Sequence, residues 1–177
     1  SNDGVCNTHC SLREAIAAAS FGSTIRFSST MIGATIVLTA PLFIDKSLKI
    51  TAVDFNGPRI TLSGNAATSV MQITQDVDVT LESIVIAGGA GRSRGAGIFN
   101  SGNLFLQNCI VRGNALFEPA GIDLSGAGIF SQGNLTLFMT TVELNEIRDS
   151  NSGIGAGIFV RSNNGRPATL TMNLSII

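Results

Sequence analysis

The chain has 177 residues, 44% hydrophobic and only 13% charged, with 20 glycines and a net charge of −1. That length holds one domain with a full core. The charges are balanced and form no basic patch, which argues against nucleic acid and anionic membrane as partners. No apolar run approaches the roughly 18 residues of a spanning helix, so no membrane insertion is expected in this segment.

Residues 1–22 differ from the rest. Ser11 and Glu14 have the spacing of a capping box. Leu12, Ala15, Ile16 and Ala19 share one helical face, and Gly22 is a stop signal. A short helix over about 12–20 is predicted, then a first strand at 24–27. A helix here would cover the open end of a stacked β fold, whose apolar interior and backbone edges are otherwise exposed. Residues 1–22 are therefore read as an N-terminal cap and 23–177 as the repeat domain. Cys6 and Cys10 stand four apart in the cap. A disulfide is the favoured reading, with free thiols and a metal pair beside His9 as alternatives. His9 is the sole histidine and reads as a surface residue.

Further along, Gly-Ala-Gly-Ile-Phe occurs at Gly95–Phe99, Gly126–Phe130 and Gly155–Phe159, spaced by 31 and 29 residues. A fixed period of this size marks a solenoid. The segments after each copy align. Val79, Leu104, Leu135 and Leu170 form one apolar column, and Leu81, Leu106, Leu137 and Met172 a second. Ile86, Val111, Val142 and Ile177 form a third. Each segment alternates with period two, the mark of half-buried strands. Short strands, roughly three per repeat and without intervening helices, predict an all-β parallel β-helix with coils of about 30 residues. A β-propeller is the alternative, but its blades need about 40 residues and antiparallel hairpins. Ile98, Ile129 and Ile158 are expected to stack inside. Phe99, Phe130 and Phe159 are expected to form a second column, with packing favoured over a ligand platform. Cys109 aligns with Ile84, Thr140 and Ser175 and reads as a small core residue.

The chemistry-bearing residues are few. Asp76 and Asp78 alternate along one segment and Glu82 lies just beyond. This is the best local cluster of acids and a weak calcium candidate, with a solvated strand face as the plainer reading. A glycosidase needs two converging carboxylates. The acids here do not recur, since Asp78 aligns with Asn103 and Asn134, and Glu82 with Gln107 and Phe138. No catalytic, cofactor-binding or metal residue is assigned. The calcium-binding nonapeptide and an in-register Thr-x-Thr ice-binding face are both missing. The segments 88–94, 114–125 and 145–154 vary between repeats, as binding loops of solenoids do. Leu116, Phe117, Ile122 and Ile147 in them are candidate partner contacts, unless they fold back onto the coil.

The opening Cys10-Ser-Leu-Arg-Glu-Ala-Ile16, preceded by Asp3-Gly-Val-Cys6, resembles the signature of the CSLREAI-domain family of exported bacterial β-helix proteins. The downstream glycine-rich repeats are similar to that family's coils, so the resemblance covers essentially the whole chain. It implies a right-handed parallel β-helix of pectate-lyase-like shape. It also implies a secreted or cell-surface location and an adhesin-like role, and it carries over no catalytic residues. The family's coils usually place Asn before the third strand. Here that column reads Ser83, Asn108, Met139, Leu174, so apolar packing is expected in the later turns. The chain stops inside a strand at Ile177. Expected partners are therefore further coils of a longer parent, or a second copy stacked head to tail. A host or surface glycan or protein is a further expected partner. The expected function is a structural or interaction module, namely an adhesin-like module, stalk or fibre subunit. A polysaccharide lyase or glycoside hydrolase is the alternative.

Overall fold

A computed structural model describes residues 4–52, 59–117, 124–148 and 153–177. The described residues are all-β apart from one short α-helix and a 3₁₀ turn at Ser29–Met31. The strands stack in parallel as a solenoid. The first sheet has six strands: Ser23–Arg26, Leu48–Thr51, Asp78–Glu82, Asn103–Gln107, Asn134–Phe138 and Leu170–Asn173. The second has Thr35–Val37, Ile60–Ser63, Ile84–Ala87, Ile110–Arg112 and Thr141–Glu143. The third has Leu42–Ile44, Met71–Ile73, Ile98–Asn100, Ile129–Ser131 and Ile158–Val160. The first strand begins one residue earlier than its sequence pattern suggests.

The period-two pattern sets which side chains face the axis. In Asn103–Gln107, Leu104 and Leu106 are buried, while Asn103, Phe105 and Gln107 point outward. Parallel in-register pairing repeats that choice in each coil. Leu104 pairs with Val79 and Leu135, and Leu135 with Leu170, as the alignment predicts. Ile98 and Ile129 are fully buried, and Ile158 packs against the same core. A solenoid core of this kind is continuous along the axis, and each coil supports its neighbours.

A fourth, three-stranded sheet lies within the variable segments: Ala90–Gly91, Ala115–Phe117 and Glu146–Arg148. These strands are too short for their alternation to be read in sequence. Residues 118–123 and 149–152, which follow the last two of them, lie outside the described residues.

In the last four coils the residue that follows the first-sheet strand is left-handed and turns the chain toward the second sheet. Ser83, Asn108, Met139 and Leu174 have φ of 58°, 53°, 51° and 50°. The amide of Asn108 donates from Nδ2 to Ser83 Oγ, and Arg59 donates to the Asn108 carbonyl and Oδ1. Met139 and Leu174 are 51% and 81% exposed. This corrects the expectation of apolar packing in the later turns. The backbone pairing on either side holds the corner, and the apolar side chains stand in solvent.

The cap helix spans Leu12–Ala18, and its capping box is complete. It ends two residues before the expected stop, with Ala19 in an extended conformation; Gly22 instead donates its N–H to Ser47 O of the next coil. Leu12 and Ile16 enter the core. Arg13 donates to the carbonyls of Ala40 and Pro41, and Lys46 Nζ to those of Ala17 and Ala19. A cation on the last carbonyls suits the negative end of the helix. Cys6 and Cys10 form a disulfide, with Cα atoms 4.4 Å apart.

Candidate functional site

The outward faces of the first and third sheets hold most of the side chains that could meet a ligand. On the first sheet, Asp78 lies at the start of its strand. Asp76 does not share that strand, as its sequence pattern suggested. It sits in the preceding turn with φ of 62°. Both are exposed. Each acid of the predicted cluster has its own partner. Arg166 Nη1 lies 2.6 Å from Asp76 Oδ1. Asn103 Nδ2 donates to Asp78 Oδ1 at 2.7 Å. Glu82 is buried, accepts from Thr51 Oγ1 at 2.8 Å, and pairs with Lys49 Nζ at 2.7 Å. Burial alone would raise the Glu82 pKa. The hydrogen bonds of Lys49 and Thr51, with the charges of Lys49 and Arg26, outweigh it and hold the carboxyl below its usual value. Arg166 is paired from far along the chain, so the sequence alignment did not reveal it. Among the described residues no three of His, Cys, Asp and Glu are grouped to hold a metal.

Asn103 continues a polar row along the sheet. Asn134 Nδ2 donates to Asn103 Oδ1 at 2.9 Å, and Thr169 Oγ1 donates to Asn134 Oδ1 at 2.9 Å. Beside this row runs a shallow groove of about 350 Å³, lined by Asp78, Thr80, Asn103, Phe105, Asn134 and Thr136. It offers one carboxylate among amides and hydroxyls around an aromatic ring. That can hydrogen-bond a polar ligand, but it does not supply the acid and base pair of glycoside hydrolysis.

A second polar row, buried at Asn114 and half-buried at Asn145, was missed in the sequence. Asn114 Nδ2 donates to Asn145 Oδ1 at 2.9 Å and to Ile86 O at 3.3 Å, while its Oδ1 accepts from Gly89 N at 2.8 Å. Asn145 Nδ2 donates to Val111 O at 3.0 Å. The signal was present, since both asparagines lie three residues after the aligned Val111 and Val142. Likewise Asn100 Nδ2 donates to Ser131 Oγ.

The third sheet carries the aromatic column on its outer face. Phe99 and Phe130 stack with centroids 5.2 Å apart, and Phe130 and Phe159 with 5.8 Å. The central ring has no exposed surface. Two guanidinium groups cover it, Arg94 at 5.2 Å and Arg161 at 5.4 Å from its centroid. The sequence reading assigned neither arginine. Arg94 does break its column, which continues as Ser125 and Ile154.

The loop hydrophobics divide. Leu116 is fully buried in a small second core with Ala96, Leu124 and Ala127, and Ile147 packs against it. The fourth sheet turns Leu116 inward, so the partner-contact expectation fails for it. Phe117 is half-buried with Arg148 over its ring at 5.1 Å. Ile122 lies outside the described residues. Cys109 is a core residue. Its Sγ donates to the Leu81 and Gln107 carbonyls, and burial pushes its thiol up to about 12. No family model matches the chain, and comparison with curated proteins and with solved structures finds no match either.

Proposed function

We propose that the chain is a non-catalytic structural and interaction module of an exported protein, an adhesin-like module, stalk or fibre subunit. The observation that carries this reading is what the repeated polar residues bond to. Asp78, Asn103, Asn134 and Thr169 form one row, Asn114 and Asn145 another, and Asn100 and Ser131 a third, each linked coil to coil. Groups committed to their own copies build a scaffold, and among the described residues they leave no converging acid and base. Leu170 and Met172 are exposed although their column is buried in the preceding coils. Those positions suit a further coil of the same kind. The Cys6–Cys10 disulfide supports export, because such bonds persist in oxidising compartments. The resemblance of the opening motif to the CSLREAI-domain family supports the same location.

The test is incubation with a panel of acidic and neutral polysaccharides, followed by analysis of product size and unsaturated ends. No cleavage is expected. Cleavage that disappears in the Asp76→Asn, Asp78→Asn double variant would overturn the reading in favour of a carbohydrate-active enzyme.

A further inference from the structure

The arginines of the chain differ in what their side chains contact. Arg13, Arg59, Arg148 and Arg166 each donate to a named oxygen of the protein. The side chains of Arg94 and Arg161 donate to no oxygen among the described residues. They are instead held against one phenyl ring, the fully buried Phe130. The Nε of Arg94 is buried without any hydrogen-bond partner. A buried unpaired donor on a charged group is costly and rare in native proteins, and a bound water or ion is one way of satisfying it. Two cations also sit on one ring, and among the described residues neither forms an ion pair with a carboxylate, although their mutual repulsion disfavours that arrangement. Cation–π contact offsets part of this cost and fixes the orientation of the two planar groups. A guanidinium held in place is a preformed fork for an oxyanion.

We infer that Arg94 and Arg161, seated on the Phe99–Phe130–Phe159 column, form a binding site for an anionic glycan whose carboxylates or sulfates engage the two guanidinium forks. The column disfavours the main alternative among polyanions. Single-stranded nucleic acid binds through bases stacked on free aromatic faces. Here the central ring, Phe130, is covered by Phe99, Phe159 and the two guanidinium groups, so it offers no free face to a base. Extended polyanions fit the geometry, since the rings repeat along the solenoid axis with the coils. The site lies on the third sheet, whereas the amide-lined groove lies on the first. The inference deepens the interaction-module reading and rests on it.

The experiment is calorimetric titration of the intact chain with four probes. They are a de-esterified oligogalacturonate, its fully methyl-esterified form, a sulfated glycosaminoglycan fragment and a single-stranded RNA homopolymer. Either acidic glycan is expected to bind, and whichever binds more tightly identifies the oxyanion. The methyl ester is expected not to bind. The Arg94→Gln, Arg161→Gln double variant is expected to weaken binding at least tenfold. An Arg26→Gln, Arg112→Gln double variant loses the same charge at other exposed positions and is expected to stay within about twofold of the parent. Should the glutamine pair fail to fold by circular dichroism, Arg94→Lys with Arg161→Lys keeps the charge but removes the fork, and a weakening of several-fold is expected. Failure of both acidic glycans to bind overturns the inference. So does equal weakening by both glutamine pairs, undiminished binding in the Arg94 and Arg161 variants, or tighter arginine-dependent binding of RNA. The glycan is also recovered and sized. Cleavage would count against the non-catalytic reading while leaving the binding site intact, so the two failures are distinguishable.

Discussion

Gly128→Ala is expected to lower stability by about 3 kcal/mol, at the upper end of what overpacking a filled interior costs. A Cβ on Gly128 would stand 2.5 Å from Gly157 O and 2.8 Å from Asn145 Nδ2. Both neighbours are fixed. The first is backbone of the next coil, and the second belongs to the Asn114–Asn145 amide row. Gly97 is in the same position one coil earlier, against Gly128 O and the Asn114 amide. The middle glycine of the repeated motif therefore lets two coils and an asparagine meet. Gly157→Ala supplies the contrast. Its Cβ would meet a side-chain methyl of Ile177 (Cγ2) at 3.1 Å and one of Val142 at 3.8 Å, and no backbone. It is expected to change stability by no more than about 0.5 kcal/mol, the range of substitutions that disturb no packed feature. Urea denaturation midpoints of the two variants check this. Equal losses would mean that the motif glycine has no packing role.

Phe130→Ala is expected to cost about 3–5 kcal/mol, the range for removing a buried aromatic side chain. Outward-facing residues rarely matter this much, but Phe130 has a ring on each side along the column and a guanidinium over it from Arg94 and from Arg161. Its removal opens a cavity and leaves two arginines without their support. Phe99→Ala is expected to cost clearly less. Phe99 is half-buried and its other neighbour along the column is Gln72 rather than a ring. Phe130→Leu should recover part of the loss through apolar area, but not through stacking. Thermal unfolding of the three variants orders them. Similar melting temperatures for Phe99→Ala and Phe130→Ala would contradict the buried central ring.

The sequence disclosed most of the fold because a parallel β-helix writes its register into its repeats. Once Leu104, Leu135 and Leu170 are aligned, pairing follows without any knowledge of loops. The capping box of Ser11 and Glu14 was legible for the same reason, being local. The fourth sheet was not. Strands of two or three residues, such as Ala90–Gly91, show no alternation, and their pairing is set by neighbouring coils. That is why Leu116 looked like an exposed loop residue and is in fact core. The left-handed corner was visible as a column but misleading in content. Met139 and Leu174 adopt a conformation that Asn or Gly takes at lower cost, so backbone pairing there overrides residue preference. The candidate sites were the least legible. Arg166 reaches Asp76 across 90 positions. Arg94 and Arg161 meet on Phe130 only because the solenoid places the residue before one motif copy and the second residue after another beside the same ring.

The account rests on repeated polar residues being bound to their own copies in the next coil. The most direct test is a double-mutant cycle on Asn114→Ala and Asn145→Ala, measured by urea denaturation. The two amides share the 2.9 Å hydrogen bond from Asn114 Nδ2 to Asn145 Oδ1, and Asn145 Oδ1 also accepts from the Asn114 backbone N–H at 3.1 Å. A coupling energy of about 1 kcal/mol or more is predicted. Losses that add to within about 0.3 kcal/mol would show that the two asparagines act independently, and would contradict the coil-to-coil scaffold.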